Sequence, residues 1–552
     1  MMKFLEGFTP YKKEDAEKYN SYRWWSGLTL GDILDRAADI HPEKEAFVDR
    51  KTRLTYEEAR EKANKLAIGL IDLGIQPLDR VLVQVPNWNE FVFAYFALQK
   101  IGAITVLLID RYRQLEIDHL INITGATSWI VASRYGKIDY IPIINDVLQK
   151  HPELTNVITV RGDGNQQPFS CLKRLIEEAE LTEDNLIRLS NRAPDPMQVA
   201  HMGPTGGTTG RPKIVPRTHN SLITCVEYCS KSWGQCSQDT NLLAGPIGHD
   251  LSFTKGFIGS VITMGTVIFL DSTDTKDICK IIETEKVTSI IWVPTLAQKL
   301  LQYEDLNKFK LNSLEKMHSA GGASHPDIVK DVTKKLEMKF YNGYGATEGM
   351  TTITRSSDDL ETICSTVGKP TCPYDTYKVI DKDGNELPAN TQGELVLKGP
   401  GVFTGYYQNP EENKKAFNKN GFFRTGDMAR IDKKGYITLT GRIKEMINRG
   451  GESISATEIE RLINRSPDVK AVAVIPMPDP LMGERACAYI QPKTGVELSF
   501  DDIIYFLKGQ KASVLQLPER IEFIDVMPYT AAQKLDKQSL LENIKKKLQI
   551  EG

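Results

Sequence analysis

Cysteine is sparse in this chain, 8 in 552 residues, and no C-x-x-C pair occurs. That excludes a disulfide framework and the usual zinc knuckles. His219, Cys225, Cys229 and Cys236 do fall close together, and Cys225 with Cys229 would share a helix face at i, i+4 spacing. Free cysteine is among the most buried residue types, so ordinary helix packing is the expectation there. Long apolar runs are missing as well. The longest weakly polar stretch, 256–270, is broken by Ser260, Thr263 and Thr266 and bounded by Lys255 and Asp271. It falls short of the ~20 apolar residues that span a bilayer. Residues 1–19 lack an apolar h-region and mix Lys with Glu and Asp, so a cytoplasmic protein with no membrane partner is expected. Neither sign of charge is in excess: 69 Lys plus Arg face 72 Asp plus Glu, a net charge of -3. There is no general drive toward nucleic acid or anionic lipid. Internal repeats and low-complexity tracts are absent too.

What is present is ordinary globular material, 41% apolar and 26% charged. Since single cores stop growing near ~250 to 300 residues, the chain must divide. Helical patterns over 30–40 and 56–73, the second led by Thr55 and Glu58 as a capping box, precede a β-α-β rhythm. That rhythm comprises a strand at 80–86, a helix at 89–101 and a strand at 104–108, and similar strands recur at 128–132, 157–160, 266–270, 287–293 and 316–319. After about Pro373 the texture changes to short strands with Gly-containing turns, at 378–381, 393–398 and 435–440. Beyond Gly441 it is mixed: helices at 456–464, 500–507 and 537–548, strands at 469–476 and 486–492. The expected fold is α/β, a large N-terminal body (1–440) of α/β subdomains with a small antiparallel β-barrel, followed by a small α+β C-terminal domain (441–552).

The most informative segment is Gly203-Pro204-Thr205-Gly206-Gly207-Thr208-Thr209-Gly210-Arg211-Pro212-Lys213. Small residues let backbone N–H groups and hydroxyls approach an anion, and a lysine supplies the compensating charge. It is not a Walker A loop, because Lys213 sits between Pro212 and Ile214, and it is no dinucleotide fingerprint. Alone, such a string also admits reading as a flexible surface loop, the less favoured of the two. Other segments change the balance. Tyr341-Asn342-Gly343-Tyr344-Gly345-Ala346-Thr347-Glu348-Gly349 combines a flat aromatic, close-approach glycines, a hydroxyl and a carboxylate, which suits a purine and a Mg²⁺-bound phosphate. Gly421-Phe422-Phe423-Arg424-Thr425-Gly426-Asp427 offers a carboxylate for two ribose hydroxyls. Gly441-Arg442-Ile443-Lys444-Glu445 opens the tail, and Pro528-Tyr529-Thr530-Ala531-Ala532-Gln533-Lys534 ends on a lysine.

In this order and spacing the five motifs resemble those of the adenylate-forming superfamily, which includes acyl-CoA synthetases, peptide-synthetase adenylation domains and luciferase. The look over essentially the whole chain is nearest to the stand-alone aryl-acid ligases. The resemblance implies that a carboxylate attacks the α-phosphorus of ATP, and that the acyl-AMP then passes to a thiol, the phosphopantetheine of a carrier protein or free CoA. It implies that Thr205, Gly206, Gly207, Thr208, Thr209, Gly210 and Lys213 hold the outer phosphates, that Glu348 ligates Mg²⁺ and that Thr347 contacts the α-phosphate. Gly321, Gly322 and Ala323 would enclose adenine with Tyr344 and Gly345, and Asp427 and Arg442 would grip the ribose. Lys534, on a mobile tail, would bridge carboxylate and α-phosphate during adenylation and then leave. Gln533 stands where the family carries glycine. Lys444 takes the hinge position and Gly451 the thiol channel.

Gly245-Pro246-Ile247-Gly248-His249-Asp250-Leu251-Ser252-Phe253 matches the acyl-pocket segment, with His249 at the gate beside the substrate carboxylate. Asp250, Lys255, Gly322, Met350 and Thr351 complete the expected pocket. A buried carboxylate without a cation is costly, so Asp250 is expected either to be protonated or to have Lys255 or a substrate amino group as its partner. The expected substrate is a small aryl or amino-aryl acid. A CoA ligase of the same fold, a β-amino-acid-activating enzyme and a non-catalytic nucleotide-binding protein are the alternatives.

Overall fold

In the computed structural model the Thr55 and Glu58 pair closes as a capping box. The Glu58 carboxylate accepts from the Thr55 N–H at 2.8 Å, the Thr55 hydroxyl accepts from the Glu58 N–H at 3.2 Å, and the helix Tyr56–Asp72 follows. Thr29 and Asp32 start Leu30–Ile40 in the same way. The structure describes residues 3–162, 169–205, 212–321, 324–449, 452–510, 512–530 and 535–551. It divides into two compact units.

The first unit comprises Met1–Thr205, Pro212–Thr376 and Lys398–Lys415. Among the described residues it carries a nine-stranded and a seven-stranded sheet, each parallel at its centre and antiparallel toward an edge. The strand Arg80–Gln84 shows why such strands read as unbroken apolar runs. Val81 and Val83 face the layer built on Tyr56–Asp72 and Asn89–Lys100, while Leu82 faces Ile117, Leu120 and Ile121 of the helix Gln114–Thr124. Both faces are covered, so both sets of side chains are apolar. In Thr266–Phe269 of the other sheet, Val267 and Phe269 likewise join one core and Ile268 another. The start of the chain packs onto the far end of this unit in sequence: Trp25 Nε1 donates to the Pro400 carbonyl at 3.0 Å, Tyr11 donates to the Val402 carbonyl, and Asp15 pairs with Lys398.

The second unit includes Tyr377–Leu397 and Ala416–Gly552. Where a small barrel was expected, the described residues form an open antiparallel sheet in the order Thr376–Ile380, Gly393–Lys398, Phe423–Ile431, Ile437–Arg442. Its outer strands, Thr376–Ile380 and Ile437–Arg442, do not pair with each other, so the sheet stays open. The rest is α+β. Val469–Asp479 and Gly483–Pro492 make a long hairpin, Arg520–Phe523 pairs parallel to the latter, and Ala456–Ile463, Phe500–Gly509 and Lys537–Glu551 pack around it. No helix among the described residues is long and apolar enough to cross a membrane.

Candidate active site

The strands Val199–Pro204 and Ile214–Thr218 pair antiparallel and bracket the Gly/Thr-rich string. Its ends are clasped, with Thr205 N–H on the Lys213 carbonyl at 2.8 Å and Lys213 N–H on the Thr205 hydroxyl at 3.1 Å. Gly206, Gly207, Thr208, Thr209 and Gly210 lie outside the described residues, as do Gly322, Ala323, Gly451 and Lys534.

Lys213 heads a column of side chains in the first unit. Its ammonium lies 3.0 Å from Glu412 Oε2 and 4.2 Å above the ring of Tyr406. The Tyr406 hydroxyl donates to Glu348 Oε1 at 2.8 Å. Burial pushes the Glu348 carboxyl above its ordinary range, against the opposing pull of that hydrogen bond and of Lys213. Glu348 thus sits as a costly buried acid with one hydroxyl and one cation beside it. Among the described residues, no group of three or more His, Cys, Asp and Glu side chains gathers to hold a metal.

Arg217, 1% exposed, ties the neighbouring backbone together. It donates to the Thr347 carbonyl at 3.0 Å, the Gly401 carbonyl at 2.7 Å and the Ser221 carbonyl at 3.0 Å. The turn after Thr347 needs glycine, because Gly349 has φ +99° and a Cβ there would meet the Gly401 carbonyl oxygen at 2.2 Å. Tyr344 and Gly345, in Lys339–Gly345, pair with Thr352 and Thr351. Asp375 accepts from the Gly401 N–H at 3.3 Å, and burial raises its carboxyl to about 7 although Arg217 opposes the rise.

The acyl-pocket segment is held from below by Asn87. Its amide donates to the carbonyls of Leu243, Gly245 and Leu270, and its oxygen accepts from the Ile247 N–H at 2.9 Å. A Cβ on Gly248 would fall 2.1 Å from the Leu108 carbonyl oxygen. His249 accepts at Nδ1 from the Leu251 N–H at 3.4 Å. Asp250, half-buried, precedes a wide π-type helical segment, Leu251–Ile258, a geometry found chiefly at functional sites. On it the Lys255 ammonium donates to Thr351 Oγ1 at 3.0 Å and reaches Cys225 Sγ at 3.6 Å. Lys255 and Thr351 are therefore brought together, with buried Met350 adjacent, whereas Lys255 and Asp250 form no direct ion pair. The expected internal partner of Asp250 is engaged elsewhere. Gly321, with φ +83°, lies just beyond the strand Lys316–Ser319, near Val293.

In the second unit Asp427, 3% exposed, faces Arg442 across the hairpin, Oδ1 to Nε at 2.8 Å. Lys444 is exposed in a short turn, Ile443–Glu445. Its neighbour Glu445 takes Lys537 at 2.8 Å, and Lys537 also meets Glu460 at 2.9 Å.

Reading the sequence missed Tyr406, Glu412, Asn87 and Lys537. Each acts through a partner distant in the chain, as Glu412 does with Lys213 across 199 residues, and no local pattern marks it.

The family described as AMP-binding enzyme matches residues 34–407, and the AMP-binding enzyme C-terminal domain matches 458–534. The chain is 34% identical to 2,3-dihydroxybenzoate-AMP ligase of Bacillus subtilis, over 99% of both chains. It is 30% identical to salicyl-AMP ligase / salicyl-S-ArCP synthetase of Mycobacterium tuberculosis, over 98% of this chain and 95% of the other. The apo structure of Mycobacterium smegmatis MbtA superposes with a TM-score of 0.74 at 29% identity, covering 98% of this chain and all of that one.

Proposed function

Because the chain belongs to the AMP-binding enzyme family, we propose that it activates a small aryl or amino-aryl acid with ATP and passes the acyl group to the phosphopantetheine thiol of a carrier protein. The observation that carries this reading is the end-to-end likeness to aryl-acid AMP ligases, and the sequence motifs that hold Lys213, Glu348, Asp427 and Arg442 support it.

In the first half-reaction a carboxylate oxygen of the acid bonds to the α-phosphorus, the bond from that phosphorus to the bridging oxygen breaks, and pyrophosphate leaves. In the second, the thiolate sulfur bonds to the acyl carbon and AMP leaves with its phosphate oxygen. Both steps move negative charge, so the protein's task is to neutralise and orient it. Lys213 and the 205–210 string take the outer phosphates, and Thr347, whose carbonyl Arg217 fixes, meets the α-phosphate. Asp427 and Arg442 hold the ribose, and Tyr344 the adenine. His249 orients the acid, and Lys534 neutralises charge between its carboxylate and the α-phosphate. The buried carboxylate of Glu348 suits Mg²⁺, which binds through one or two carboxylates plus substrate phosphates. When bound, Mg²⁺ supplies charge neutralisation on the phosphate oxygens. The tail division at 440/441 belongs to the same reading. Gly441 has φ +149°, and a Cβ there would meet Ser455 Oγ at 2.8 Å, so glycine is needed where the tail begins.

ATP–pyrophosphate exchange across salicylate, dihydroxybenzoates, aminobenzoates, picolinates, β-amino acids and short fatty acids tests the reading. Exchange with an aryl acid is expected, and none with any acid refutes it. Acceleration of turnover by holo carrier protein is expected, whereas acceleration by free CoA alone makes the chain a CoA ligase. Lys534→Ala should lose adenylation far more than thioester transfer from supplied acyl-adenylate. Equal loss in both half-reactions contradicts the two-pose scheme.

A further inference from the structure

Lys255 is a buried cation with no direct ion pair among the described residues. It is 6% exposed, and an ammonium carries three donors. Two are used, on the neutral acceptors Thr351 Oγ1 and Cys225 Sγ, and no carboxylate lies within ion-pair distance among the described residues. Burial works against its charge, but the influence of Cys225, Cys229 and Asp250 outweighs it and keeps the ammonium above its ordinary range. A buried, charged and incompletely paired lysine costs several kcal/mol unless a further acceptor completes it.

Two independent features mark the same spot. Lys255 is presented by the π-type segment Leu251–Ile258, a rare geometry concentrated at functional sites. His318, 1% exposed on the strand Lys316–Ser319, lies within the electrostatic influence of Lys255, and its Nδ1 has no hydrogen-bond partner. A cation with a spare donor and an unpartnered ring nitrogen thus share one buried region, next to Thr351 and Met350.

We propose that Lys255 is a specificity-determining residue that recognises an acidic oxygen substituent on the substrate, a ring hydroxyl or a second carboxylate, in addition to the carboxylate that is adenylated. The proposal rests on the aryl-acid reading above and adds the substituent to it. Asp250, kept out of contact with Lys255, stays available for a donor group on the same acid.

The test is ATP–pyrophosphate exchange by the full chain, wild type and Lys255→Met, with benzoate, salicylate and phthalate. A hydrogen bond to a charged group corresponds to about 10- to 100-fold in an equilibrium constant. Wild type is expected to favour salicylate or phthalate over benzoate in kcat/KM by about tenfold or more. Lys255→Met should erase that preference, lowering kcat/KM for the favoured substituted acid by about tenfold or more relative to its effect on benzoate. The ranking of salicylate against phthalate tells whether hydroxyl or second carboxylate is taken. Equal loss by Lys255→Met on all three acids, or a wild type indifferent to the substituent, overturns the proposal. Absence of exchange with every acid overturns the aryl-acid reading itself and this inference with it. Equilibrium binding of the three acids to wild type with ATP, followed by calorimetry, decides the matter should the variant not fold, and equal affinities overturn the proposal.

Discussion

Replacing Asp375 with Asn should abolish one identifiable component of the pH dependence of stability. The residue is half-buried, but its carboxyl is pressed into the backbone of Gly399 and Gly401, and burial raises it from 3.8 to about 7. The folded value lies above the unfolded one. Its stability contribution is therefore fully present below pH ~4 and is lost as pH rises through ~7. Linkage over that window gives roughly 2 kcal/mol of lost stability between about pH 5 and pH 8, after allowance for solvent reaching part of the residue. Asparagine keeps an acceptor for the Gly401 N–H and does not ionise. Urea unfolding followed by tryptophan fluorescence is the assay, because Trp24 stacks on the neighbouring Tyr374 with centroids 4.6 Å apart. The stability of Asp375→Asn relative to wild type should rise by roughly 2 kcal/mol from about pH 5 to about pH 8. A gap that stays constant, or moves the other way, would refute the reasoning that Asp375 titrates inside the folded protein.

Three further outcomes are expected. Tyr406→Phe removes the hydrogen bond to buried Glu348, about 1.5 to 3 kcal/mol for an ionised acceptor, so the Glu348 carboxyl rises further. The acid limb of the pH profile of exchange should then move up by about 1 to 2 pH units, and an unmoved limb counts against Glu348 acting ionised. Gly248→Ala drives a methyl into the Leu108 carbonyl and should cost about 1 to 3 kcal/mol of stability along with a weakened acid KM, whereas wild-type values for both would show that the segment yields freely. Lys537→Met leaves Glu445 and Glu460 facing each other. With the lysine side chain 20% exposed, a loss of roughly 2 to 4 kcal/mol is expected in denaturant unfolding of the full chain, and no loss would mean that solvent screens the triad.

Much of the fold was legible because local chemistry and burial agree. Thr55 and Glu58 begin a helix where their spacing says, and Lys316–Ser319 and Gly393–Lys398 keep the bounds read from their apolar patterns. The strand expected over 469–476 runs on to Asp479 through Pro476 and Pro478, which read as breakers. It lies at the sheet edge, where a missing N–H breaks no ladder. The π-type turn at Leu251–Ile258 had no sequence signal, since its apolar residues fit an ordinary helix and its width reflects tertiary contacts. For the site, the motif residues were legible as types of chemistry and their partners were not. Lys213 suggested an anion, but not that Glu412 and Tyr406 would hold it in place. Asp250 suggested a cation, but Lys255 turned instead to Thr351.

The packing of Trp25 against Pro400 has a bearing on how the protein is made. The two residues are 375 positions apart, and the first unit also needs Val402 for Tyr11 and Lys398 for Asp15. At synthesis rates of about 5 to 20 residues per second, the aromatic side chains near the start wait roughly 20 to 75 s on the ribosome before their partners exist. Tyr11, Tyr19, Trp24 and Trp25 are thus an unsatisfied apolar cluster throughout most of translation, and the early chain should be a chaperone client even though the finished unit is well packed.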